Sequence, residues 1–271
     1  MLNAFSSKKP TVRSVPNNIE QTTDQTPKKT YYTFWQVLVL VLGIFLLSQL
    51  AAAIGVGIYP LIKGWNEPTT TAWLKSSVYA NFSYFLLADF AIISSLRWLL
   101  KKRNLSFKDI GFVRQHSLDP LYAIIGTVVY FVIFASILSL VSKFTMLDLD
   151  QKQQIGFDSA RGSQLVLVFA VLVVLTPLAE ELLFRGFLFT TIRKKMKFFA
   201  AAIITSIIFG AGHLQLGSDA PLLWVAAIDT FALSLILCYI REKTGRLWPA
   251  IYLHMIKNFI AFLALFAKHF S

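Results

Sequence analysis

The sequence predicts an all-α, polytopic membrane protein with about seven transmembrane helices, within a range of six to eight. Of its 271 residues, 56% are hydrophobic and only 15% are charged, whereas about 25% of residues are charged in soluble domains. Four stretches carry no charged side chain: residues 30–62, 120–142, 162–179 and 198–218. Each is close to or above the length of about 20 apolar residues that crosses a bilayer.

The chain divides into a polar tail and one apolar domain. Residues 1–30 are rich in Lys, Thr, Ser, Asn, Gln and Pro, without hydrophobic periodicity, which predicts a disordered tail. Residues 31–271 are predicted to form a single transmembrane domain. Its predicted spans are residues 34–59, 77–97, 119–142, 163–190, 198–215, 221–240 and 247–267. Pro177 predicts a kink in the fourth span, and a short extra helix could lie in the loop before it.

Basic residues alternate between the spans. The net charge is +12, and the Lys and Arg residues concentrate in the tail and around residues 97–114, 193–197 and 241–246. This pattern predicts a multi-pass protein of the cell membrane, with these segments and the N-terminus in the cytoplasm. It argues against nucleic acid as a partner, because no soluble basic face is formed. The single cysteine, Cys238, excludes an internal disulfide.

A few ionisable or strongly polar residues lie within the apolar spans. Each charged one costs about 2.5–3.5 kcal/mol to insert at the bilayer centre, so such residues usually face the bundle interior and have a task. They are Asp89, Glu180, Glu181, Arg185, His213, Asp229, His254, Lys257 and Asn258.

The fourth span carries a pair of glutamates. Glu181 and Arg185 are four residues apart, which is the favourable order for an ion pair along a helix. Glu180 is left without a local cation, so its partner is expected on another helix. A purely structural ion network is the alternative interpretation.

Two further pairs at helical spacing lie in later spans. Phe209 and His213 share one face, and His254 and Asn258 share another. His254 and Asn258 both offer N–H donors, which suits an oxyanion better than a metal. A hydrogen-bonded core histidine and helix–helix hydrogen bonds are the alternatives. A rise of about 1.5 Å per residue brings all three motifs to overlapping depths, which favours one shared site.

The three motifs together, in this order, resemble the CAAX prenyl protease and bacteriocin-processing family, also called the Abi family. The matching patterns are Glu180-Glu181-xxx-Arg185, Phe209-xxx-His213 and His254-xxx-Asn258. The resemblance covers about residues 165–265 and implies a membrane-embedded endopeptidase that acts on a peptide or membrane protein.

The resemblance also implies roles for the site residues. Glu180 and His213 would activate a water, and His254 with Asn258 would stabilise the oxyanion. Glu181, Arg185 and Phe209 would support them. No cofactor is expected, although a zinc site built from Glu180, His213 and His254 is chemically conceivable.

Two other functions remain open from the sequence. One is a non-catalytic membrane protein that confers bacteriocin immunity or scaffolds a partner. The other is a transporter with a carboxylate proton relay, which the absence of an inverted repeat disfavours. The sequence identifies neither the substrate, including whether it is prenylated, nor the oligomeric state.

Overall fold

The computed structural model describes residues 28–144, 156–215 and 222–267, and these residues form helices and connecting turns without a β-strand. The described residues form eight longer helices and one short 3-10 helix, Phe107–Ile110. The longer helices are α1 (Phe34–Ile62), α2 (Glu67–Ser76), α3 (Val78–Lys102), α4 (Asp119–Val141), α5 (Gln164–Arg193), α6 (Phe198–Ala211), α7 (Trp224–Thr244) and α8 (Trp248–Phe266). The predicted all-α polytopic fold is confirmed.

Six of these helices are long and apolar enough to cross a membrane: α1, α3, α4, α5, α7 and α8. The remaining predicted span forms α6, which has 14 residues. A helix of that length reaches only about 21 Å, against a hydrocarbon core of about 30 Å. The count lies within the predicted range of six to eight, with α6 as the short member.

The outer helices expose apolar side chains. Leu47 on α1 is 66% exposed, Phe90 on α3 is 69% exposed, and Val132 on α4 is 61% exposed. A soluble protein would lose stability through such surfaces, whereas lipid tails solvate them. The exposed faces therefore fit a bilayer environment.

Helix α5 lies at the centre of the bundle. Every residue from 181 to 189 is buried, as expected of a helix that packs on all sides. Two π-helical stretches, Ala170–Leu175 and Leu182–Phe189, flank the α-helical turn Thr176–Glu181. Pro177 directly follows the first wide turn, and the helix continues through it instead of ending there. Wide π-turns of this kind occur often at functional sites.

The tail and the basic loops meet at one end of the bundle. Lys29 Nζ lies 2.7 Å from Asp109 Oδ1, so the end of the tail contacts the α3–α4 loop. Arg241, on the last turn of α7, donates to the carbonyl of Ile110 at 3.0 Å and to Thr190 Oγ1 at 3.2 Å. The basic segments thus share one side of the bundle, as their alternation predicts. The assignment of that side to the cytoplasm stays a prediction.

Two predictions fall mainly beyond the described part of the chain. Residues 28–30 contact the α3–α4 loop, where Thr30 N–H donates to the carbonyl of Arg103 at 3.1 Å. The rest of the predicted tail, residues 1–27, lies outside the described residues. So do residues 145–155, in the loop where a short extra helix was considered.

Candidate active site

The predicted pair on α5 is formed. Arg185 Nη1 lies 2.8 Å from Glu181 Oε1, and both side chains are fully buried. Burial of a single charge costs several kcal/mol, so each side chain needs the other in this position. Glu181 and Arg185 therefore form a fixed ion pair in the interior of the bundle.

His254 on α8 contacts both glutamates. Its Nδ1 lies 2.9 Å from Glu181 Oε1, and its Nε2 lies 3.6 Å from Glu180 Oε2. Because Glu181 already accepts from Arg185, it is an ionised acceptor, and His254 must donate Nδ1–H to it. This bond fixes the orientation of the ring. His254 is also the neighbour from another helix that the sequence predicts for Glu180.

His213 follows the last turn of α6, and its ring is oriented by the backbone. Its Nδ1 lies 2.9 Å from the carbonyl oxygen of Phe209, which can only accept, so Nδ1 carries the proton. Nε2 of neutral His213 is then a hydrogen-bond acceptor. The predicted pairing of Phe209 with His213 thus acquires a specific role in selecting the tautomer.

The Phe209 ring packs against Arg185 of the Glu181–Arg185 pair and against both histidines. The Arg185 guanidinium lies 4.2 Å from the ring centroid, in cation–π geometry. The ring centroids of His213 and His254 lie 4.9 Å and 6.0 Å from it. Phe209 therefore contacts all three helices that carry the motifs.

Helix α6 reaches this position because it packs closely on α7. A Cβ at Gly210 would lie 2.9 Å from the carbonyl oxygen of Ala227, so a larger residue would push the helices apart. Close approach through small residues is typical of membrane helices. Gly212 lacks this constraint, since its nearest contacts are carbonyls of its own chain at 3.4 Å and 3.8 Å.

Asn258 bridges α8 to the wide turn of α5. Its Nδ2 donates to the carbonyl oxygen of Leu172 at 2.8 Å. Leu172 lies in the π-helical stretch, where the changed backbone register leaves carbonyls available to side chains. One of the two amide hydrogens is used in this bond, so the other remains for a ligand.

All four predicted catalytic residues line one cavity of about 190 Å³. These residues come from three separate parts of the chain, which are α5, the end of α6 and α8. The cavity lies where these three parts meet. The supporting residues Glu181, Arg185 and Phe209 lie behind this lining and are almost completely buried. The other lining residues are Phe85, Leu172, Thr176, Ala226, Asp229, Thr230, Lys257, Ala261, Phe262 and Leu265.

Two carboxylates near the cavity, Asp89 and Asp229, have hydrogen-bond or ion-pair partners on other helices. Asp89 on α3 accepts a hydrogen bond from Thr176 Oγ1 at 2.8 Å. Thr176 lies four residues before Glu180 and so shares its helix face, which is the only sequence signal for it. Asp229 and Lys257 form an ion pair at 2.9 Å, and Tyr130 donates to Asp229.

Among the described residues, the potential metal ligands near the cavity are not grouped as a metal site would require. Within the ranges that the structure describes, no three His, Cys, Asp or Glu side chains are grouped as ligands of one ion. Nδ1 of His213 and Nδ1 of His254 are both engaged by protein oxygens. Among the four predicted catalytic residues, the two histidine Nε2 atoms and the Glu180 carboxylate could serve as ligands in the cavity.

Comparisons with known proteins agree with the motifs. Residues 162–260 match the model of the type II CAAX prenyl endopeptidase Rce1-like family. A Bacillus subtilis (strain 168) protein named "Putative membrane peptidase YdiL" is 34% identical over 92 residues. The aligned part is 34% of this chain and 34% of that relative, so the likeness spans about a third of each. No solved structure matches this chain.

The matched segment runs from just before α5 into α8 and contains every motif residue of the cavity. The N-terminal helices lie outside it. The resemblance drawn from the three motifs is thereby confirmed, since residues 162–260 are similar to the Rce1-like CAAX prenyl endopeptidase family.

Proposed function

We propose that this protein is an intramembrane endopeptidase that hydrolyses peptide bonds in membrane-associated or small peptide substrates. The observation that carries the proposal is the convergence of Glu180, His213, His254 and Asn258 on one cavity within an apolar bundle. The family match over the same segment supports it.

Two hydrogen-bond acceptors face the cavity and suit a water nucleophile. Glu180 presents a carboxylate, and His213 presents Nε2, because its Nδ1–H donates to Phe209. A water between them would donate one hydrogen to each and direct a lone pair at a substrate carbonyl. Glu180 then accepts the proton as the general base, and His213 orients the water.

The oxyanion formed by that attack needs donors. Asn258 retains one amide hydrogen beyond its bond to Leu172. His254 gives Nδ1–H to Glu181, so its Nε2 donates only when the ring is an imidazolium. Glu181 and Glu180 both lie beside the ring and would favour that charge, whereas burial and the nearby Arg185 oppose it. In this mechanism Glu181 acts through His254, so we expect Glu181 and Glu180 to differ in role.

The proposed reaction uses no metal. Asn258 is a poor zinc ligand, and it lines the same cavity as His254, so this pair suits two oxyanion donors better than a metal site. The zinc alternative would leave this residue without a function in the chemistry.

Peptidomics of membranes tests the proposal. Cells that carry the intact protein are compared with cells that carry Glu180→Ala, and with Glu242→Ala as a matched control. Glu242 pairs with Arg193 at the basic end, away from the cavity. We expect a set of cleavage products that needs Glu180 and not Glu242. Identical peptide sets in all three would contradict a protease, and immunity that survives Glu180→Ala would favour the non-catalytic alternative.

We also propose that the basic end faces the cytoplasm, with the N-terminus on that side. A reporter fused after Arg246 is expected to be cytoplasmic, and one fused after Ser218 external. Reversed locations would contradict the orientation.

A further inference from the structure

A second cavity adjoins the catalytic one. It has a volume of about 340 Å³ and lies between α4, α7 and α8. Apart from Tyr130, Asp229 and Lys257, its lining is apolar, and it includes Phe131, Phe134 and Ile260. Phe131 is 41% exposed and Ile260 is 42% exposed, so this lipid-side cavity opens towards the membrane.

The two cavities share four lining residues: Ala226, Asp229, Lys257 and Ala261. These four residues form the partition. Two are alanines, one on each of α7 and α8, so little side-chain volume separates the cavities. The rest of the partition is the ion pair between Lys257 Nζ and Asp229 Oδ2 at 2.9 Å.

The catalytic cavity is too small to hold a peptide segment alone. Its volume of about 190 Å³ lies below the range of about 300–1,000 Å³ for pockets that enclose a ligand. An endopeptidase must bind residues on both sides of the scissile bond, so the substrate has to extend into neighbouring space. The lipid-side cavity adjoins the site across the partition, and its walls suit apolar side chains.

The ion pair of the partition is partly exposed, which leaves its side chains room to move. The Lys257 and Asp229 side chains are 19% and 18% exposed, in contrast to the sealed pair of Glu181 and Arg185. The Lys257 stem is long and flexible, so its ammonium can move while α7 and α8 stay packed. Tyr130 lies on the lipid side and holds Asp229 in place when Lys257 moves.

We infer that the lipid-side cavity is the binding subsite for the apolar side chains of the peptide substrate next to the scissile bond, with the Lys257–Asp229 pair as its gate. The inference rests on the proposed function. It identifies the substrate as an apolar peptide segment that reaches the site from the bilayer side.

Photolabelling tests occupancy without turnover. The probe is a synthetic biotinylated membrane peptide of Leu and Ala with a diazirine-leucine at its centre, added to the Glu180→Gln protein in vesicles. We expect mass spectrometry to find the label at Phe131, Phe134 or Ile260. Label spread equally over the lipid-facing surface of α1 would overturn the inference. So would labelling of the cavity by a diazirine-acyl phospholipid with exclusion of the peptide, since that marks a lipid site.

Filling the cavity provides the second arm. Ala264 lines the lipid-side cavity and not the catalytic one. Ala264→Trp is expected to reduce peptide labelling and kcat/KM about tenfold, through KM, for substrates with large apolar residues. Ala53→Trp, at an exposed position of α1, is the matched control and should change neither. Val225→Phe, which also lines the cavity, serves as a second filling variant.

The outcomes separate the two proposals. If KM and labelling are unchanged in both filling variants while cleavage still depends on Glu180, the subsite inference is wrong and the proposed function stands. Cleavage that survives Glu180→Ala would overturn the proposed mechanism, while the labelling pattern would still decide the subsite.

Discussion

Two charged clusters lie side by side in this bundle and differ in one physical respect. The sealed cluster, Glu181 with Arg185 and His254, is buried to 4% exposure or less. The gate cluster, Asp229 with Lys257 and Tyr130, lies between two cavities, and the ion pair keeps nearly a fifth of its side-chain surface exposed. Both join neighbouring helices through one carboxylate. A sealed cluster can only hold its partners in position, whereas a partly open one can rearrange.

This difference separates positioning from movement. In the proposed reaction His254 must keep one orientation to act on a reacting carbonyl, and the Glu181–Arg185 pair supplies it. Lys257 has no such requirement there, because the proposed reaction assigns it no contact with a reacting atom. Four substitutions or treatments sharpen or break this comparison.

The largest effect is expected from Glu180→Gln, beside the sealed cluster. The change keeps size and removes the base, so cleavage should fall by about 10²–10⁴, the range typical of a lost general base. The thermal midpoint in detergent should hardly change, because Glu180 is 16% exposed and contacts His254 at 3.6 Å. Cleavage rate and thermal unfolding are measured on the same preparation. An active Glu180→Gln protein beside a stable, inactive Glu181→Gln protein would show that the roles are reversed.

The second effect tests the sealed cluster itself. Glu181→Gln leaves Arg185 without its buried counter-charge, and breaking such a pair costs about 3–5 kcal/mol. It should lower both stability and rate, because His254 loses its anchor. Adding Arg185→Gln should recover part of the stability and none of the rate. A double variant no more stable than Glu181→Gln would show that the pair is not the source of the loss.

A smaller effect is expected at the gate cluster. Lys257→Met leaves Asp229 without its cation but with access to the cavities and to Tyr130. The loss of stability should therefore be smaller than that of Glu181→Gln, and Asp229→Asn in the same background should restore it. Thermal unfolding of the two single variants and the double variant measures this. A loss equal to that of Glu181→Gln would remove the distinction between the clusters.

Charge-free runs and motif spacing predict much of this structure from the sequence. The spans around α1, α3, α4, α5, α7 and α8 follow from apolar length, and the Glu181–Arg185 pair follows from spacing along one helix. The short α6 was predicted to extend to residue 215, but the helix ends at Ala211. The charge-free stretch continues to residue 218, so the absence of charged residues does not mark the end of the helix.

Contacts between helices could not be predicted in the same way. The bond from Asn258 to the Leu172 carbonyl depends on a π-turn, which is a backbone displacement that no residue type specifies. The bond between Thr176 and Asp89 depends on the packing of α3 against α5. The tautomer of His213 is set by a bond to a backbone carbonyl. Every residue has such a carbonyl, so the sequence does not indicate which one His213 contacts.

The smallest effect, none at all, is expected when metal is removed. Glu181 and the Phe209 carbonyl hold Nδ1 of His254 and His213, and Asn258, the proposed second oxyanion donor, lines the same cavity. We therefore expect protein that is metal-free by elemental analysis to cleave as fast as protein supplied with zinc. A zinc-dependent peptidase treated in parallel verifies that the chelation works. If the metal-free protein is inert and zinc restores cleavage, His254 and Asn258 do not form the oxyanion site. The sealed cluster would then hold a zinc ligand in place, and its contrast with the gate cluster would have a different chemical meaning.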